Sequence, residues 1–208
     1  MCWGFRCHRQ NPGAYMNKAK RMGRSLGEVL LLLICLGAGA LLYRTAELHF
    51  YRAAYPIAYR DIVLTESERN ALPPSLVFAV IHTESGFDPA ARSHVGAQGL
   101  MQITPDTLDW TVYRLGEEKQ PEALLYDSAA NIKYGAALLR LLTNEFGQVE
   151  NVLCAYHAGW GSVKSWLQNP EYAPNGTDVD LIPFGDTARY VEKVLATQEI
   201  YRKLYGLR

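Results

Sequence analysis

One acidic residue ends an otherwise apolar stretch near the middle of this chain of 208 residues. Glu84 follows the apolar residues 76–81, and Ser85 and Gly86 come directly after it. Burial against apolar neighbours and the negative end of a helix dipole both disfavour a charged carboxylate, so we expect a raised pKa for Glu84. A carboxyl group that stays protonated near neutral pH can act as the general acid of glycoside cleavage.

Four short motifs around and after Glu84 give this acid a context. They are Glu-Ser-Gly-Phe-Asp-Pro at 84–89, Gly-Leu-Met-Gln-Ile-Thr-Pro at 99–105, Ala-Tyr-His-Ala-Gly at 155–159, and Ile-Pro-Phe at 182–184 followed by Tyr190. In this order and at these spacings, residues 55–205 resemble the catalytic domain of the soluble lytic transglycosylase family. Four motifs in register over one domain length are far more specific than any one of them alone.

The resemblance implies an all-α, lysozyme-like domain that cleaves the β-1,4 bond between N-acetylmuramic acid and N-acetylglucosamine in peptidoglycan. In such an enzyme Glu84 protonates the glycosidic oxygen, and the acetamido group of the substrate stabilises the cationic centre. Glu84 then removes the proton of the C6 hydroxyl, which closes a 1,6-anhydro ring. The resemblance implies no metal and no organic cofactor, and the binding partner is the glycan strand.

Five residues in the motifs or beside them are candidates for binding the substrate. Ser93 hydrogen-bonds the substrate or only stabilises its loop. The side-chain amide of Gln102 can both donate to and accept from a sugar, and Met101 suits an adaptable apolar wall of the cleft. Tyr156 positions the acid or stabilises charge on the sugar, and Tyr190 lines the cleft, with core packing as the alternative for both.

His157 departs from the family pattern, which has asparagine at this position. We expect it in the substrate site, although a structural histidine is the alternative. Three tryptophans can either stack on sugar rings or pack in the core, and their spacing does not separate these possibilities: Trp110, Trp160 and Trp166.

A second catalytic carboxylate is not evident, although most glycosidases use two. Asp88, Asp106 and Asp109 are near Glu84 in sequence, but Asp88 precedes a proline in a turn and the other two suit the first turn of a helix. A hydrolytic muramidase that uses Glu84 with water is the nearest alternative function. A non-catalytic scaffold that binds the cell wall is the other, and the presence of Glu84 argues against it.

The charge is distributed unevenly along the chain. Seven of the 21 basic residues but only one of the 21 acidic residues precede Glu47, so the remainder carries 14 basic and 20 acidic residues, a net charge of −6. An acidic domain without a basic run gives no electrostatic footprint for nucleic acid. We therefore divide the chain into a basic cytoplasmic segment, a transmembrane or signal segment, a juxtamembrane linker and a catalytic domain: 1–24, 25–45, 46–54 and 55–208.

The apolar segment 29–43 carries no charge and follows the basic cluster, so the positive-inside rule places the domain outside the cytoplasm. This run is short for a membrane span. With Leu26, Gly27 and a snorkelling Glu28 it reaches the lower limit of roughly 17 residues. A single-pass membrane anchor is one interpretation, and a signal peptide cleaved near the Ala-Gly-Ala at 38–40 is the other.

The remainder of the sequence predicts helices and no strand, hence a single all-α domain. Proline at 74 and 105, Thr104 and Asp127 mark helix starts, and Gly86 marks a helix end. We expect loops at 88–103 and 169–184, and helices near 59–71, 74–84, 105–115, 128–146, 150–158, 161–168 and 187–205.

Overall fold

The computed structural model describes residues 12–208, with side chains from Glu28 onward. The chain divides into two units between Tyr51 and Arg52. Its described residues form one short 3-10 helix, Glu122–Tyr126, and eight α-helices: α1 Pro12–Ala54, α2 Arg60–Arg69, α3 Pro74–Glu84, α4 Pro105–Leu115, α5 Ser128–Phe146, α6 Val149–Ala158, α7 Trp160–Leu167 and α8 Gly185–Tyr205.

Helix α1 is longer than the apolar run that predicted it. Within its part Glu28–Ala54, an 18-residue stretch has a mean hydropathy of 2.0 and no buried residue, so by length and composition this part could cross a membrane. A signal sequence has the same character. The predicted linker 46–54 continues the helix, and residues 1–11 of the predicted basic segment lie outside the described residues.

The second unit, from Arg52 onward, has the all-α architecture that the sequence predicts. Its helices begin and end close to the predicted positions because the local signals act as expected. The Thr104 hydroxyl accepts a hydrogen bond from the N–H of Thr107, and the Asp127 carboxylate accepts one from Ala130 at 2.8 Å. The part of the chain that the structure describes has no strand, and only isolated bridges connect Gln98 with Arg92 and Ile103.

Helix α3 lies in the core of this unit and packs chiefly against α8. All its residues from Ser75 to Ile81 are buried, so it is apolar on every side rather than on one stripe. Phe78 stacks on Tyr201 of α8 with 5.4 Å between the ring centroids, and both side chains are fully buried. Full burial of a large apolar side chain contributes about 1.5–3 kcal/mol, so this contact holds α3 firmly.

The loop that follows α3 is attached to α5 by Asn131. The buried amide of this residue donates to the carbonyl oxygens of Gln98 and Leu125 at 3.0 and 2.8 Å, and its oxygen accepts from Met101 N–H at 2.7 Å. Gly99 permits this approach, because a Cβ there would overlap Leu125 and Asn131 and its φ is +75°. Asn131 is therefore one of the side chains that fix the loop with the 99–105 motif.

We predict that Asn131→Ala lowers the free energy of unfolding by at least about 2 kcal/mol, because it leaves the Met101 N–H and the Leu125 carbonyl buried without a partner. Asn144→Ala, an exposed asparagine in the same helix, is the matched control and should change stability by less than about 0.5 kcal/mol. Urea denaturation measures both. Equal effects of the two substitutions would show that Asn131 does not hold the loop.

Candidate active site

A cavity of about 430 Å³ opens beside the C-terminal end of α3, and the carboxyl group of Glu84 lines it. This volume lies within the range of ligand-binding sites in proteins. Four of the six residues predicted to bind substrate also line it: Ser93, Gln102, Tyr156 and His157.

The pKa of Glu84 is raised from 4.5 to about 7, and burial of the carboxyl group is the largest cause. This agrees with the direction that the sequence predicts. A hydrogen bond from Tyr190 and the positive charge of Lys193 both act in the opposite sense. The carboxyl group is therefore divided between its neutral and charged forms near pH 7.

Tyr190 of α8 contacts the acid directly. Its hydroxyl donates to Glu84 Oε1 at 2.7 Å, and its ring stacks on His157 with 4.5 Å between centroids. The tyrosine itself is mostly buried, and its pKa is raised well above the ordinary value because of burial and the nearby Glu84 charge. It therefore holds the carboxyl group without lining the cavity, whereas the sequence analysis considered lining of the cleft or core packing.

Tyr156 of α6 lines the cavity, but its hydroxyl is engaged elsewhere. It donates to the carbonyl oxygen of Met101 at 2.8 Å, and no hydrogen bond joins it to Glu84 among the described contacts. Burial and the charge of Glu84 raise its pKa well above the ordinary value, so the phenol keeps its proton. Of the two tyrosines, Tyr190 and not Tyr156 positions the acid.

The prediction that Met101 forms a wall of the cleft is wrong for its side chain. That side chain is fully buried and packs against Gly135 of α5, where any larger residue would overlap its sulfur atom. The sequence shows an apolar residue in a loop but not the glycine across from it. Met101 supports the site through its backbone, which bonds to Asn131 and Tyr156.

Gln102 has a left-handed backbone with a φ of +49°, which turns its side chain back across the loop. Its Nε2 donates to the carbonyl oxygens of Ala91 and Gly99 at 3.1 and 2.9 Å. Both amide protons are thereby used. The side-chain oxygen is the atom that Gln102 can offer to a ligand, as an acceptor.

Ser93 combines the two interpretations that the sequence left open. Its hydroxyl oxygen accepts from the N–H of Ala97 at 3.0 Å, and its N–H donates to the Ala97 carbonyl, so it stabilises the loop. The same residue lines the cavity beside Glu84. Its hydroxyl proton can still donate to a ligand there.

His157 is exposed at the edge of the cavity and is fixed in orientation by two contacts. Its Nδ1 lies 3.1 Å from the Thr187 hydroxyl, and its ring stacks on Tyr190. Burial of part of the ring lowers its pKa, and the charge of Asp186 acts in the opposite sense. The imidazole is therefore mainly neutral at pH 7, and its Nε2 is the ring nitrogen without a described partner.

Sequence analysis missed Thr187 and Lys193, which lie three residues before and after Tyr190 on α8. Residues at this spacing share one face of a helix, so the periodicity around Tyr190 could have identified them. Thr187 orients His157, and Lys193 brings a positive charge near Glu84.

The other acids considered from the sequence are absent from this cavity. Asp88 accepts from Ala90 N–H within its own turn, and Asp109 forms an ion pair with Lys119. Asp106 lines a neighbouring cavity instead. Among the residues that the structure describes, Glu84 is therefore the one carboxylate that lines the cavity.

The sequence of this chain is similar to those of soluble and membrane-bound lytic murein transglycosylases. The chain is 35% identical over 156 residues to the soluble lytic murein transglycosylase of Escherichia coli K12, which covers 73% of this chain and 24% of that protein. It is 32% identical over 167 residues to the membrane-bound lytic murein transglycosylase C of Yersinia enterocolitica, which covers 70% of this chain and 47% of that protein. The chain thus spans about a quarter to about half the length of these relatives.

The fold also matches a solved relative. The crystal structure of the 70 kDa soluble lytic transglycosylase of Escherichia coli superposes with a TM-score of 0.67 at 32% identity, over 75% of this chain and 26% of that one. This match confirms the expected lysozyme-like, all-α fold. Residues 61–177, more than half of the chain, match the sequence model of the family described as "Transglycosylase SLT domain". The chain therefore belongs to the transglycosylase SLT domain family.

Proposed function

We propose that this protein is a peptidoglycan lytic transglycosylase, which cleaves the β-1,4 bond between N-acetylmuramic acid and N-acetylglucosamine and leaves a 1,6-anhydromuramic acid end. The main support for this proposal is the carboxyl group of Glu84, which has a pKa of about 7 and lies in a cavity whose described lining holds no second carboxylate. The names of the relatives, soluble and membrane-bound lytic murein transglycosylases, support it.

In the first step Glu84 protonates the glycosidic oxygen, and the bond to the muramic acid carbon breaks. A proton donor needs a pKa near the working pH, which burial of Glu84 provides. The 2-acetamido group of the substrate stabilises the positive charge that develops at the sugar. The chain itself then needs no carboxylate to act as a nucleophile.

In the second step the ionised Glu84 takes the proton of the C6 hydroxyl, whose oxygen attacks the same carbon and closes the 1,6-anhydro ring. Tyr190 stabilises this ionised form by donating to Oε1, and Lys193 adds a favourable charge. The side-chain oxygen of Gln102 and the hydroxyl of Ser93 orient the sugar ring. Tyr156 and His157 also line the cavity.

The test of the proposed function is mass analysis of the muropeptides that the purified protein releases from sacculi. We expect 1,6-anhydro ends, lighter by one water than a lysozyme product, because the described cavity lining holds no second carboxylate that could hold and activate a water. Glu84→Gln should lower the rate by about 10²–10⁴-fold, the usual contribution of general acid–base catalysis. Glu68→Gln, an exposed acid of α2, is the matched control and should keep full activity. Products with reducing ends would establish a muramidase instead.

The burial that raises the pKa of Glu84 also lowers the stability of the folded protein. The folded state holds the proton up to about pH 7, whereas the unfolded chain releases it near 4.5, so this group's contribution to stability falls as pH rises between these values. We predict that Glu84→Gln becomes more stable relative to the wild type over this range, by a change of about 3 kcal/mol.

Urea denaturation of both proteins at pH 4 and pH 8 measures this change. The difference between variant and wild type should grow with pH for Glu84→Gln, while the exposed control Glu68→Gln should show a small and constant difference. A pH-independent difference for Glu84→Gln would contradict the raised pKa.

We infer further that the protein acts at the cytoplasmic membrane or in the periplasm. The apolar helix within α1 and the membrane-bound relative support this placement. In the arrangement that we propose, residues 1–24 lie in the cytoplasm, the segment 25–45 crosses the membrane, 46–54 leads out of it and the catalytic domain 55–208 lies outside. Cleavage of the segment as a signal peptide would release the same domain.

Protease added to intact cells without a wall tests this topology. We expect digestion of residues 55–208, because basic residues precede the apolar segment and favour its cytoplasmic N-terminus. A cytoplasmic protein of the same cells is the control for leakage. Protection of the domain equal to that control would refute the placement.

A further inference from the structure

A second cavity of about 240 Å³ adjoins the cavity at Glu84. The two cavities share four lining residues: Thr107, Leu138, Tyr156 and Gly159. Glu84 does not line the second cavity. Its volume is below the roughly 300 Å³ at which pockets for drug-sized ligands begin, so it suits one small group.

Two indole rings distinguish the second cavity from the first. Trp110 of α4 and Trp160 at the start of α7 both line it, and Trp160 is 39% exposed. Trp166, in contrast, is buried against Phe184 and therefore packs in the core. The sequence did not distinguish sugar stacking from core packing for these three tryptophans. The structure places Trp110 and Trp160 at the second cavity and Trp166 in the core.

A cation lies over each of the two indole rings that line the cavity. The guanidinium carbon of Arg114 is 5.0 Å from the Trp110 centroid, and Lys164 Nζ is 4.7 Å from the Trp160 centroid. Such contacts stabilise the orientation of a partly exposed ring. Lys164 also pairs with Glu145, which fixes its position. The two indoles are thus held in place before any ligand arrives.

The polar group that accompanies these rings is the carboxylate of Asp106. It is exposed in the first turn of α4 and lines the second cavity, so its oxygens can accept hydrogen bonds from hydroxyl groups. Aromatic faces with one carboxylate suit the apolar faces and the hydroxyl rim of a pyranose ring.

We propose that this cavity is a binding subsite for one uncharged N-acetylglucosamine ring of the glycan strand, remote from the bond that Glu84 cleaves. The proposal rests on the proposed function, because it takes the Glu84 cavity to hold the same strand. Because the two cavities share four lining residues, an extended strand can reach from one to the other. The volume of about 240 Å³ favours N-acetylglucosamine over muramic acid, which is larger by its lactyl group or stem peptide.

Calorimetric titration of the full-length Glu84→Gln protein with N-acetylglucosamine oligomers, from the disaccharide to the hexasaccharide, tests this subsite. We expect the affinity to increase at the length at which the oligomer reaches the second cavity. In this background Trp110→Ala and Trp160→Ala should each weaken binding of the long oligomer about tenfold, which corresponds to about 1.4 kcal/mol. Binding of the short oligomer should not change.

Tyr113→Ala is the matched control, since Tyr113 is an 80% exposed aromatic residue of α4 that lines neither cavity. Thermal unfolding of each variant measures any general loss of structure, and the milder Trp160→Phe gives a second measurement if Trp160→Ala unfolds. Equal weakening of short and long oligomers, or no weakening of either, overturns the subsite.

The outcome for the subsite can be distinguished from that for the function. A wild-type protein that cleaves sacculi but shows no dependence on these indoles loses only the subsite. A wild-type protein that does not cleave sacculi overturns the proposed function, and the subsite with it.

Discussion

The packing of α8 against α3 is the constraint on which the rest of the site depends. Helix α3 is apolar on all sides up to Ile81, so it must be covered, and the helix that covers it also brings Tyr190 to the carboxyl group of Glu84. One contact therefore has two effects of opposite sign on the acid. Burial favours its neutral form, and the tyrosine hydroxyl favours its charged form.

The loop with residues 99–105 depends on α5 in a similar way. Asn131 fixes the loop through three hydrogen bonds, and the carbonyl oxygen of Met101 in that loop accepts the proton of Tyr156. The loop, α5 and α6 are thereby connected by polar contacts among mostly buried groups, which are strong only when every member is satisfied. Gln102, next to Met101 in this loop, has a left-handed backbone, and its amide donates to the Gly99 carbonyl oxygen.

Local sequence signals were sufficient to predict the α-helices of the second unit and the direction in which the pKa of Glu84 is shifted. Proline at 74 and 105, Thr104 and Asp127 act within a few residues of their own position, so their effects can be read without knowing the fold. The role of Met101 could not be predicted, because it depends on Gly135, which is distant in sequence. For the same reason the sequence analysis considered Tyr156 for positioning Glu84, whereas Tyr190, 106 residues away, makes this contact. Local signals therefore predict where the site lies in the sequence, whereas the role of each residue depends on tertiary contacts.

A single carboxyl group that acts as acid and then as base must satisfy two opposing requirements. If burial acted alone, the pKa of Glu84 would lie above about 7, and the group would give up its proton in the first step but would resist the ionised form that the second step needs. If the group were exposed, its pKa would remain near 4.5, and it would have no proton to give at neutral pH. Tyr190 and Lys193 counteract the burial without cancelling it, so both forms are accessible at one pH. The absence of a second carboxylate from the described cavity lining is consistent with this balance, because a nearby second negative charge would raise the pKa of Glu84 further.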